Sequence, residues 1–239
     1  MSNFDAESIL HSPEYQQELT AQRTFMARVY GWMTIGMLAT ALVAMVIAGS
    51  KPLTNLFILN PGMRIGLIIA SLVVALGLSF TIRSIPAVLA AGLFIFYSLL
   101  TGAMLSVVLL VYTSTSVAST FFITAGMFGS MSFIGYTTKK DLTTMGGYLV
   151  MALIGLVIAS VVNIFMHSSG LYWLCTFAGV IIFTGLTAYD TQKIKESYAA
   201  GAYGTSAFER TAVYGAFVLY LDFINLFLYM LRLLGSRRD

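Results

Sequence analysis

SIPAVLAAGLFIFYSLLTGAMLSVVLLVYTSTSVASTFFITAGMFGSMSFIGYTT, residues 84–138, runs from Arg83 to Lys139 without one charged side chain. A bilayer hydrocarbon core of about 30 Å is crossed by about 20 apolar residues in a helix, so 55 uncharged residues hold two crossings. The polar stretch at residues 112–120 supplies the turn between them. Outward from this run the pattern repeats. There are 22 uncharged residues between Arg28 and Lys51, 18 between Arg64 and Arg83, and 48 between Asp141 and Asp190, the last broken at His167, Ser168, Ser169 and Gly170.

The reading is an all-α integral membrane protein with seven spans, near 29–49, 64–82, 86–111, 118–137, 145–166, 171–190 and 211–234. Composition agrees: 58% of the 239 residues are apolar and 10% charged, against about 45–50% and 25% in soluble domains. A polar N-terminal tail over 1–28, one membrane domain over 29–234 and a short tail over 235–239 account for the chain, since no polar stretch is long enough for a second core. The first apolar run exceeds a signal peptide's core and is expected to stay in the mature protein.

The net charge of +3 reflects basic residues scattered between apolar runs, which mark topology and do not form a nucleic-acid surface. Arg23, Arg28, Arg83, Lys139, Lys140, Lys193, Lys195 and Arg210 fall on one side. Lys51, Arg64, Arg232, Arg237 and Arg238 fall on the other. The excess places the N-terminus in the cytoplasm. Small residues at four-residue spacing, Ser98, Gly102 and Ser106 on the third span, Gly155 and Ala159 on the fifth, and the glycines 126, 129 and 135 on the fourth, read as close helix packing. Cys175, alone in an apolar run, reads as packing too.

Of ten acidic residues only Asp222 lies well inside a span. It stands 12 residues after Arg210 and 10 before Arg232, about 15–18 Å from either by helical rise. A carboxylate at that depth faces a partner or a wet cavity, because lipid exposure costs about 2.5–3.5 kcal/mol or more. Asn225 shares its face. Asp190 closes the sixth span, and it moves below the surface if that helix continues through Lys195, with the lysines snorkelling. It then meets Asp222. Two poorly solvated carboxylates do not both ionise cheaply and share a proton; ionised together they offer the hard oxygens calcium prefers. Arg83, ending the second span on the same side as Asp190, is the arginine placed to compete for those oxygens.

Three strings, TAGMFGSMSFIGYTTKKDL (124–142), GLTAYDTQKIK (185–195) and LYLDFINLFLYMLRLLG (219–235), resemble the Bax inhibitor-1 family of seven-span membrane proteins, specifically its bacterial branch. The resemblance implies six helices around a central seventh, and a calcium leak whose conductance depends on pH. Its two-aspartate sensor falls on Asp190 and Asp222, and its latching arginine on Arg83. It implies the bacterial plasma membrane, the inner membrane in a Gram-negative cell, with calcium as a transported or transiently bound ion, no resident cofactor and no catalytic residue.

Two other readings stand beside the leak. One is a non-conducting regulatory module that binds other membrane proteins. The other is an intramembrane aspartyl hydrolase, suggested by Tyr189–Asp190, although Leu219, Tyr220 and Leu221 stand where its Gly-x-Gly would precede Asp222. No lysine in the seventh span is available for a retinal Schiff base, His11 and His167 are too few to pair on haem, and no Walker glycine loop is present.

Overall fold

The computed structural model describes residues 12–82, 84–198 and 204–238. Seven helices are long and apolar enough to cross a membrane: α1 (Pro13–Ala48), α2 (Pro61–Thr81), α3 (Ala87–Val111), α4 (Ser114–Thr137), α5 (Thr143–Met166), α6 (Ser169–Glu196) and α7 (Ser206–Leu234). A single helical turn, Lys51–Thr54, and a π-helical turn, Asn55–Leu59, link α1 to α2.

The short connections carry the chemistry that ends helices. Asn60 accepts hydrogen bonds from the Gly62 and Met63 amides at the start of α2, with Pro61 at the first helical position. Thr113, Ser168 and Thr205 cap α4, α6 and α7 in the same way through the amides of Ser116, Leu171 and Phe208. Each satisfies a donor that helix geometry leaves unpaired, which matters most where water is scarce.

α1 starts at Pro13, within the stretch expected to be a polar tail, because Phe25 and Met26 are core residues. Phe25 packs edge-on against Phe208 at 5.4 Å and tilted against Tyr198 at 5.7 Å, fixing the extra turns of α1 to the start of α7. Arg28 and Glu209, 3.7 Å apart and both partly exposed, lie across the same contact and add little.

α7 is the most buried span and packs on α1, α3, α4 and α6. α2 leans on α3, and α5 on α6. The expected ring of six around the seventh is thus drawn by four helices, with α2 and α5 as outer flanks whose exposed apolar side chains include Val73, Ile158 and Phe165. The small residues of α3 do pack closely: a Cβ on Gly102 would lie 2.6 Å from the Thr40 carbonyl oxygen of α1. Gly135 similarly meets the Ala188 backbone of α6, whereas Gly126, Gly129 and Gly155 face open space, so only part of the glycine pattern is interface.

An odd number of crossings leaves the C-terminus on the face opposite the N-terminus. α7, at 29 residues, is long enough to reach it, and its arginines are accommodated there. The Arg232 guanidinium lies over the Tyr229 ring at 5.1 Å. The Arg238 amide donates to Val111 O at 2.8 Å, and Arg237 forms an antiparallel bridge with Tyr112. The last residues are thereby clipped to the α3–α4 turn.

Candidate functional site: a buried aspartate pair

Asp190 sits six residues before the end of α6, which continues to Glu196. That extension is the condition under which the two carboxylates share a depth. Lys195 holds it at the surface, its Nζ donating to Tyr136 O at 2.8 Å and lying 4.9 Å from the Tyr136 ring centre. One residue beyond Asp190, Thr191 exchanges a 2.9 Å hydrogen bond with Ser132 of α4, and Ser132 also bonds the Tyr30 hydroxyl of α1. Next, Gln192 accepts from the Leu142 amide at 2.9 Å and donates to Lys140 O at 2.8 Å, tying the α4–α5 turn to α6. The register of Asp190 is therefore fixed by two neighbouring elements, α4 and the α4–α5 turn.

Asp222 is only 5% exposed, in the middle of α7. Its carboxyl and that of Asp190 are close enough to share a hydrogen bond. Adjacent Phe223 is held edge-on by Phe121 and Phe128 of α4, both at 5.5 Å. Toward the N-terminal end of α7, the Tyr220 hydroxyl bonds Thr40 Oγ1 at 2.6 Å, and Thr40 donates in turn to Ser98 O at 2.9 Å. Phe94 packs edge-on against Tyr220 at 5.5 Å. These contacts over-determine the rotation of α7 and hence the direction of Asp222.

A cavity of about 800 Å³ opens between the ends of α2, α6 and α7 on the N-terminal face and reaches Asp190, with Lys193, Arg210, Ser79 and Tyr214 in its wall. Lys193 Nζ donates to Tyr189 OH at 3.1 Å. Arg210 Nη1 donates to Ile85 O at 3.3 Å, joining the start of α7 to the α2–α3 connection. The wall of this cavity thus holds two cations, Lys193 and Arg210, together with Asp190. Arg83 lies outside the described residues. Asn225 turns to its own helix, Nδ2 donating to Leu221 O at 2.8 Å, and so is engaged with backbone and not with Asp222.

Among the described residues no cluster of three or more His, Cys, Asp or Glu side chains exists. Two carboxylates give at most four oxygens, whereas calcium takes six to eight, so the pair fits an ion that keeps much of its water. Sequence reasoning reached both aspartates but passed over Arg210, Gln192 and the Thr40–Tyr220 bond. Gln192 lies within the 185–195 string, and Arg210 was legible only as a topology charge.

Fold and site together define a multi-pass α-helical membrane protein built around a buried carboxylate pair. The sequence profile of the family described as "Inhibitor of apoptosis-promoting Bax1" matches residues 22–239, and the chain belongs to that family, the Bax inhibitor-1 family. It is 51% identical over 217 residues to the inner membrane protein YbhL of Escherichia coli (strain K12), covering 90% of this chain and 93% of that protein. It is 43% identical over 224 residues to an uncharacterized protein of Borreliella burgdorferi (94% and 97% covered). A third relative, an uncharacterized protein of Rickettsia prowazekii, is 42% identical over 217 residues (91% of each).

Proposed function

We propose that this protein is a pH-sensitive calcium leak of the bacterial inner membrane, with its N-terminus in the cytoplasm and Asp190 and Asp222 as the site where protons and calcium compete. The observation that carries this reading is the closeness of the two carboxyls, with Asp190 in the wall of a cavity between the ends of α2, α6 and α7 on the N-terminal face. A pair in poor solvent holds one proton readily, and a divalent cation is attracted only when that proton leaves. The leak is passive and non-enzymatic, with calcium as cargo. Lys193 and Arg210 at the cavity mouth slow cation entry electrostatically, which suits a leak better than a fast channel.

The relative named as an inner membrane protein supports the compartment, and the basic excess on the N-terminal face supports the orientation. The test is calcium flux into liposomes holding purified protein, across a pH range, for wild type, Asp190→Asn and Asp222→Asn. Flux that varies with pH in wild type and is flattened by both substitutions is expected. Folded protein giving no flux above empty liposomes at any pH overturns the leak and leaves the partner-binding module as the better reading.

A further inference from the structure

Threonine in a helix ordinarily returns its hydroxyl to the carbonyl four residues back, and Thr34, Thr137, Thr176, Thr187 and Thr211 all do so here. Thr120, Thr124 and Thr184 do not. Among the described residues, theirs are the buried hydroxyl oxygens without a hydrogen-bond partner. Thr120 and Thr124 are 1% and 0% exposed. Each unpaired hydroxyl is costly where no water reaches it, and Thr120 and Thr124 stand on α4, which packs against both α6 and α7, so the contact between these helices is a seam suited to hydrogen-bonding guests.

The α4 hydroxyls lie on one face. Ser116, Thr120, Thr124 and Ser132 are all buried and separated by four or eight residues. The N-terminal-face end, Ser132, bonds Thr191 beside Asp190. The middle, Thr124, stands in sequence between Phe121 and Phe128, the two rings that hold Phe223 beside Asp222. At the opposite end Ser116 Oγ accepts from the Ser236 amide of the clipped C-terminus. From Ser116 to Thr124 the rungs are about 6 Å apart along the helix, the span of two hydrogen bonds with one water between. A hydroxyl accepts and donates at once, as proton relay requires.

We propose that this hydroxyl face of α4 is a proton relay that loads the aspartate pair from the C-terminal face, opposite the cavity that reaches Asp190. The inference rests on the pair as a proton-binding element and not on conduction. The charged and titratable groups around the pair are few. Tyr189, Asp190 and Lys193 come from α6 and Arg210, Tyr214 and Tyr220 from α7, with Tyr97 of α3 against Tyr220 and Tyr30 of α1 against Ser132. No charged residue lies in α1 beyond Arg28, in α3 or in α4. A proton arriving from the C-terminal face therefore finds no acceptor stronger than a hydroxyl until it reaches Asp222. Two faces then address one site, cations through the cavity and protons through the seam.

The test uses full-length protein in liposomes of a single orientation, checked by protease access to the N-terminal tail, with a pH step applied on one side. Protonation of the pair is followed by its carboxylic-acid infrared band, assigned by its loss in Asp222→Asn. In wild type an acid step at the C-terminal face raises the band. Thr120→Val with Thr124→Val slows that rise at least tenfold and leaves its final amplitude unchanged, while Thr120→Ser with Thr124→Ser keeps the wild-type rate. An acid step at the N-terminal face gives the same rate in all three. A wild-type rate in the valine variant overturns the relay. So does wild-type protein protonated only from the N-terminal face, a result that needs no variant to fold. Protonation through the seam in protein that carries no calcium flux would sustain the relay while the leak falls.

Discussion

Gly102→Ala tests the packing that aims Asp222. The added Cβ would lie 2.6 Å from Thr40 O and 2.9 Å from the Val43 Cβ, where ordinary contact begins at 3.4 Å. The nearest obstacle is backbone, so α1 and α3 separate by the difference, about 0.8 Å. The Thr40 Oγ1 to Ser98 O bond, now 2.9 Å, stretches to about 3.7 Å and is lost. Overpacking costs about 1–3 kcal/mol, the membrane hydrogen bond about 0.6, and alanine's better helix propensity offsets about 1. The net loss is about 0.6–2.6 kcal/mol, a factor of about 3–80 in the folding equilibrium. Equilibrium unfolding in mixed detergent micelles, read by the fluorescence of Trp32 and Trp173, measures it. Gly126→Ala, where nothing lies within 4 Å, is the control and should be neutral or stabilising. Gly102→Ala at wild-type stability would refute the close contact.

Gln192→Ala removes both hydrogen bonds that hold the α4–α5 turn and should cost about 1–3 kcal/mol, with faster amide exchange at Leu142; an unchanged exchange rate would contradict the tie. Asp141, exposed outside the membrane, accepts from the Thr143 amide at 2.8 Å, and the hydrogen bonds from Thr143 hold its carboxyl below the ordinary aspartate range. Its contribution is present above the unfolded-state value and is lost as pH falls through the lower folded one. Its carbon resonance should titrate below the ordinary range, and a midpoint at or above that range would refute the hydrogen bonds from Thr143. Thr124→Val removes a buried hydroxyl with no partner in the protein and should leave stability within about 1 kcal/mol of wild type; a larger loss would mean that the hydroxyl is bonded within the protein.

The spans were legible because lipid permits only long apolar helices, and the break at His167 fell where α5 ends in a left-handed residue. Asp222 was legible because its depth follows from counting residues between arginines. The start of α1 was not: Gln16, Gln17, Glu18 and Arg23 give that stretch a polar composition, while Phe25 gains its burial from Tyr198 and Phe208, far along the chain. The glycine spacing could not separate Gly102 and Gly135, which touch a neighbouring backbone, from Gly126 and Gly155, which do not, because spacing sets a face and only tertiary packing decides what covers it. Ser116, Thr120 and Thr124 were visible at four-residue intervals, but whether they bond their own helix or a seam is a rotamer choice that sequence does not carry.

The central claim is that Asp190 and Asp222 act as one proton-binding unit. A double-mutant cycle on the pH dependence of calcium flux, comparing wild type, Asp190→Asn, Asp222→Asn and the double variant in the same liposomes, tests it most directly. A shared proton predicts that either single substitution abolishes the pH dependence and that the double variant behaves like each single one. Independent, additive shifts from the two substitutions would contradict it.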